Sequence, residues 1–179
     1  MKILYLSVLM ALVLACNPKS QENMETSTMV EEPAILSPYI NDFINEVLGN
    51  SEETIRGINL GDPIAKVKGL EKLELLEQTD SSLAYTFETP DDELVDIYYT
   101  AEKGTFINDV TIDLFLNNEK ESEEMLTGLK HYFTLKYGQS SGNEDEPHWV
   151  IDDGDSLKVL QYDYKLDKGL RIQFFRSSY

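Results

Sequence analysis

Apolar residues recur at helical spacing early in the chain. Ile40, Phe43, Ile44, Val47 and Leu48 fall at i, i+3, i+4, i+7 and i+8, which places them on one stripe of a helix. Ser37-Pro38 opens that helix with a side-chain cap and a proline in the first turn, and Gly49-Asn50 ends it. A shorter helix opens at Gly61-Asp62-Pro63, with Asp62 as its cap, Ile64 and Val67 one turn apart, and Gly69 as its stop.

The period then changes from 3.6 to 2. After a strand at 73–79, Leu83, Tyr85 and Phe87 share one face, as do Val95, Ile97 and Tyr99, and then Val110, Ile112, Leu114 and Leu116. The breaks at Asp80-Ser81-Ser82, at 90–93 and at Glu102-Lys103-Gly104 are short, so these strands read as an antiparallel meander. A long helix follows over 120–137. Asn118 and Glu121 form the pattern of a capping box, acids crowd its first turn, and Leu126, Leu129, Phe133 and Tyr137 form its apolar stripe. Beyond an acidic loop, 149–152, 157–164 and 170–176 read as three more strands, with Asp153-Gly154 and Asp167-Lys168-Gly169 as turns. The whole is α+β: an antiparallel sheet of about seven strands with helices packed on one face.

Charge narrows the partners. The 179 residues include 33 Asp and Glu against 15 Lys and Arg, a formal net charge of −18. Phosphate backbones need clustered cations, so no nucleic-acid partner is expected. Hydrophobic residues at 41% are too many for a disordered acidic chain and suffice for one core.

The first sixteen residues have a different character. Lys2 precedes an apolar run from Ile3 to Leu14, broken only by Ser7, and Ala15-Cys16 follow before the chain turns polar at Asn17. The run is shorter than the ~20 residues a membrane-spanning helix needs and matches the apolar part of a secretory signal. Val13-Leu14-Ala15-Cys16 resembles the lipobox of bacterial lipoproteins. That resemblance implies cleavage before Cys16, a diacylglyceryl thioether on its sulfur, and acylation of the new amino terminus. Residues 1–15 are then a signal peptide, 16–36 a lipidated terminus and spacer, and 37–179 a single globular domain. The polar stretch to residue 36 would let that domain stand off the membrane by roughly 25 Å as a random coil. Cys16 is the sole cysteine, so no disulfide is available. Loss of Lys2 with the signal leaves 14 basic against 33 acidic residues, a net charge of −19.

The two strand-rich stretches echo one another. Residues 80–85 followed by 95–99 resemble 155–159 followed by 170–174, an echo that either a duplication or the ordinary repetition of amphipathic strands produces. Arranged as two related helix-plus-meander halves, the chain is similar to tandem envelope proteins of the β-lactamase-inhibitor-like type. Ile58-Asn59-Leu60-Gly61 before the helix with Val67 carries that similarity, which implies binding rather than catalysis.

Chemistry-bearing motifs are sparse. His131 falls beside the apolar stripe of the long helix near its C-terminal end, and His148 follows Pro147 among Glu144, Asp145 and Glu146 as a pH-responsive contact. No nucleophile elbow, phosphate-binding loop or paired-histidine zinc motif occurs, so neither catalytic residues nor a cofactor or metal site is assigned. Calcium binding is the minority reading of Glu144-Asp145-Glu146 with Asp152-Asp153-Gly154-Asp155, against a simple hairpin turn. Tyr98, Phe115, Tyr162, Tyr164 and Phe175 alternate with the core positions. They read as a second sheet face packed under helices, or else as an exposed partner-binding surface.

Together these features point to a non-catalytic binding module of the bacterial cell envelope. The expected membrane partner is reached through the lipid on Cys16, in the outer rather than the inner membrane, with the domain in the periplasm or at the cell surface. The second expected partner is a basic protein or ligand surface. An envelope hydrolase acting on a glycan or peptide is the alternative, and it requires a cleft joining His131 or His148 to carboxylates.

Overall fold

The computed structural model describes residues 37–49, 52–151, 154–164 and 167–176. Residues 1–36, and with them the signal, Cys16 and the spacer, lie outside the described residues, as do Asp152 and Asp153. The described part is α+β, with three helices and one eight-stranded antiparallel sheet.

Helix α1 (Pro38–Leu48) begins where its cap predicts: Ser37 Oγ accepts from the Ile40 amide, and the five periodic apolar residues are the buried ones. Helix α2 (Ile64–Leu70) differs from expectation at both ends. Pro63 occupies the cap position, and the Asp62 carboxylate instead accepts from the Asn59 amide and from Lys66 Nζ. The helix runs through Gly69 and stops after Leu70, where the chain turns extended at Glu71.

Strands β1 (Glu74–Gln78), β2 (Ser82–Glu88), β3 (Leu94–Glu102) and β4 (Phe106–Leu116) form the expected meander. Helix α3 (Glu119–Tyr137) follows. Asn118 Oδ1 accepts from the Glu121 amide, but Glu121 Oε2 is buried with no partner. Strands β5 (Ser141–Gly142), β6 (Pro147–Val150), β7 (Asp155–Tyr164) and β8 (Asp167–Arg176) complete a second meander. The short strand β5 makes the count eight rather than seven. The run Glu144-Asp145-Glu146 is the tip of the β5–β6 hairpin, where Asn143 Oδ1 accepts from the amides of Asp145 and Glu146.

The sheet order is β1-β2-β3-β4-β8-β7-β6-β5. The two meanders therefore meet along an antiparallel β4–β8 seam, with Ile112 opposite Ile172. Counted outward from that seam, β3 corresponds to β7 and β2 to β6. The echo seen in the sequence matches β2 with β7 and β3 with β8, so it is displaced by one strand from the correspondence of the topology.

One side of the sheet is the core. Val95, Ile97 and Tyr99 of β3, Val110, Ile112 and Leu114 of β4, Leu170, Ile172 and Phe174 of β8, and Trp149 of β6 are all buried beneath the helices. Phe133 of α3 packs at 5.5 Å from the Trp149 ring and 6.1 Å from Phe174. Helix α1 lies on α3 at Gly128, where an added Cβ would stand 2.6 Å from Ile40 Cγ2. Absence of a side chain there is what lets the two helices approach.

Candidate binding face

Strand geometry points alternate side chains to opposite faces, so the residues between the core positions form a second surface. Among the described residues no helix covers it. Tyr98, Phe115, Tyr162 and Phe175, which the sequence reading sets under helices, stand on this open face instead, because the described helices pack on the side carrying Trp149, Ile172 and Phe174. The side chain of Tyr164 lies outside the described residues. The expectation of rings packed under helices is thus corrected: these four rings are half-buried on the face opposite the described helices.

Register places the open-face residues in rows. One row crosses from Glu74 through Thr86, Asp96, Asp113 and Arg171 to Leu160. Arg171 donates from Nε and Nη2 to both Asp113 oxygens at 2.6 and 2.7 Å, a two-pronged pair that fixes the guanidinium plane. Asp96 faces Asp113 directly. Its Oδ2 accepts from the Tyr98 hydroxyl at 3.3 Å, while Oδ1 is buried with no partner. Burial, and then the charges of Asp96 and Asp113, push the Tyr98 phenol up to about 12, so it stays a neutral donor.

The next row holds Tyr98, Thr111, Gln173, Lys158 and His148. Beside it, Asp109 accepts from the Thr111 hydroxyl at 2.8 Å and from Gln173 Nε2 at 2.5 Å. Lys158 Nζ lies 5.7 Å from the centre of the Phe175 ring and 3.8 Å from Glu146, and His148 stacks on Phe175 at 6.0 Å. A third row reads Phe115, Gly169, Tyr162. Tyr162 lies across the glycine, donates to the Leu114 carbonyl at 3.1 Å, and meets Phe115 edge-on. This is a packing glycine inside β8. The sequence reading of Asp167-Lys168-Gly169 as a turn is therefore wrong, since all three pair with β7.

These side chains bound a depression of about 440 Å³, lined by Phe115, Leu160, Tyr162, Lys158, Arg171 and Gln173 among others. Acceptors lie on the β3–β4 side and cationic donors on the β7–β8 side, with aromatic rings on both. The arrangement suits recognition by side-chain hydrogen bonds and ring contacts.

The other candidates are placed elsewhere. His131 lies in α3, and neither histidine is among the residues lining this depression. His148 Nε2, the nitrogen that faces the nucleophile in a typical triad, is buried with no hydrogen-bond partner. A second hollow of about 270 Å³ between α1 and the β2–β3 turn contains a buried carboxyl, Glu93. Burial pushes that carboxyl above its usual range, against the opposing hydrogen bonds from Tyr39 and Thr89 and with the charges of Asp91 and Glu121 adding to the rise. Tyr39 donates to its Oε1 and Thr89 to its Oε2, so the group is engaged in tying α1 to the β2–β3 turn. Among the described residues no group of three or more His, Cys, Asp or Glu side chains could hold a metal ion. Asp155 of the calcium reading is paired with Arg176 at 3.0 Å.

The residues defining the open face are therefore Asp96, Asp113, Arg171, Gln173 and Lys158 as much as the aromatics. Their outward parity was legible from the alternation, but their adjacency was not. In comparisons with protein-family models, with curated proteins and with solved structures, nothing matches the chain. The class is defined by geometry alone: an antiparallel sheet module with one face sealed by helices and one face open and chemically varied.

Proposed function

We propose that the protein is a lipid-anchored component of the bacterial cell envelope that works by binding, with the open sheet face as its recognition surface. The observation that carries this reading is the composition of that face. A solvated sheet face needs only exposed polar residues, whereas this one holds two facing buried aspartates, one of them clamped by Arg171, and four half-buried aromatic rings, of which Phe115 and Tyr162 line a hollow. Such rings and a fixed arginine are the residue types that anchor interfaces. The net charge of −18 and the acids on β3 and β4 favour a basic partner surface and an association that weakens with salt.

The anchor half of the proposal rests on Val13-Leu14-Ala15-Cys16. Two or three acyl chains, at ~0.8 kcal/mol per buried methylene, hold a protein on a membrane without help from charge. Intact mass of the processed protein is expected to give acylated Cys16 as its first residue, and Cys16→Ala is expected to abolish the added mass and normal processing. An unmodified Cys16 in a processed chain refutes the anchor.

For the binding half, the test is capture from envelope extract at low salt with the wild-type protein, with Thr111→Lys at the centre of the open face, and with Glu123→Lys on the exposed side of α3. A specific partner should be retained by the wild type and the α3 variant, lost with Thr111→Lys, and released by high salt. Equal retention by all three places the interaction elsewhere and overturns the reading.

A further inference from the structure

The two edges of the sheet are built differently. At one end β5 is two residues long. At the other, β1 has five residues, all exposed, and among the described residues pairs only with β2, which leaves its outward N–H and C=O groups without a neighbouring strand. An open edge of this length is a template for another strand.

Its side chains are sorted by face. Leu75 stands opposite Tyr85, a core-side residue, whereas Glu74 and Glu77 stand opposite Thr86 and Ala84 on the open face. The register slips between Leu75 and Glu77, leaving Leu76 as an extra residue in a bulge. Leu75 and Leu76 are 49% and 54% exposed, and Leu70 at the nearby end of α2 is 45% exposed. Three of the seven large apolar side chains exposed among the described residues are thus gathered within seven positions of the chain at this edge. On the other side of the edge, Glu74 begins the row that continues to Asp96 and Asp113, so the acidic character runs inward across β2 and β3.

We infer that β1 is a docking edge for an extended partner segment whose residues alternate between cationic and apolar. Main-chain bonds to β1 give such a segment its affinity, and the alternation gives it specificity. Apolar residues meet Leu70, Leu75 and Leu76 on the helix side, and lysines or arginines meet Glu74 and Glu77 on the open side. A second copy of this chain is the wrong occupant. Two β1 edges paired antiparallel would gather Glu74 and Glu77 of both copies on one face of the joined sheet, and like charges close together on neighbouring strands are destabilising. The glutamates and the bulge therefore block self-pairing while leaving the edge open to a strand of opposite charge.

The inference rests on the reading of the domain as a binding module, and it specifies the backbone form and charge of the partner. Its test uses the full chain in detergent micelles with a blocked synthetic peptide, Lys-Val-Lys-Val-Lys-Val-Lys, followed by amide hydrogen exchange. Exchange across residues 74–78 is expected to slow by about tenfold or more at saturating peptide. A peptide with alternate backbone nitrogens methylated, which cannot complete the ladder, should give no slowing. Glu74→Lys/Glu77→Lys is expected to weaken the lysine peptide by about tenfold and to bind Glu-Val-Glu-Val-Glu-Val-Glu instead. Unchanged exchange at β1, equal protection by the methylated peptide, or an unaltered charge preference in the double variant each overturns the docking edge. If β1 stays unprotected while Thr111→Lys still abolishes partner capture, the edge fails and the binding face stands. If β1 is protected but no partner is captured through the open face, the edge stands and the reading of that face fails.

Discussion

Gly169 gives the sharpest test of how the open face is assembled. Its position in β8 has no conformational need for glycine, since it lies within a regular ladder opposite Phe115 and Tyr162. On propensity alone, replacing it with alanine should stabilise the strand by about 0.5–1 kcal/mol. The structure reverses that sign. An alanine Cβ would overlap the Leu114 carbonyl oxygen and stand 2.6 and 2.7 Å from the Tyr162 hydroxyl oxygen and Cζ. A backbone carbonyl cannot rotate away as a flexible side chain can, so β4 and β8 must separate locally. Overpacking of this kind costs about 1–3 kcal/mol. Displacing Tyr162 also removes its hydrogen bond to Leu114, about 0.5–1.5 kcal/mol, and its edge-on contact with Phe115, of similar size. Gly169→Ala should therefore lower stability by about 2–6 kcal/mol in urea unfolding and lower Tm by roughly 3 °C for each kcal/mol lost. Tyr162→Ala in the same background should recover only part of the loss, because the overlap with Leu114 persists. A Gly169→Ala protein within about 0.5 kcal/mol of wild type would show that the close β4–β8 approach is not what requires glycine here.

Three further outcomes follow from single contacts. Glu93 has a carboxyl raised by burial, so the folded state binds its proton more tightly than the unfolded chain; its stabilising contribution is full below the unfolded value and is lost as pH rises through the folded one. Glu93→Gln should therefore gain stability relative to wild type as pH rises from the unfolded value through the folded one, and a difference from wild type that stays constant at all pH values would refute it. Asn118→Ala removes the side-chain acceptor for the Glu121 amide and should cost about 1 kcal/mol in urea unfolding, with Asn118→Ser recovering most of it. Arg171→Met leaves buried Asp113 without its cation and facing Asp96; the loss should be about 1–3 kcal/mol at neutral pH and should shrink when Asp113→Asn is added, the coupling being read from the double-mutant cycle.

Much of the fold was legible because it is encoded locally. The α1 stripe from Ile40 to Leu48, the Ser37 and Asn118 caps, and the in-and-out parity of β2, β3 and β4 need only near neighbours in the chain, and each is found as the pattern gives it. The misreadings share a cause. Gly69 and Gly169 read locally as punctuation, yet the first lies within α2 and the second is a gap that Tyr162 fills from the next strand. Asp62 stands where a helix cap would, but the Asn59 amide and Lys66 hold it instead.

The candidate surface divides along the same line. By itself the sequence determined which side chains alternate outward, that the chain is strongly acidic, and that its one cysteine follows an apolar leader-like segment. Only the tertiary structure decided that the outward set of β4 meets that of β8, which brings Asp113 to Arg171 across 58 residues of chain, and that β1 rather than β5 is the long exposed edge. Period and capping are written within a few residues of each site. The pairing of strands and the choice of which face the helices cover depend on closing long loops to bury the most apolar surface, and that balance belongs to the whole chain.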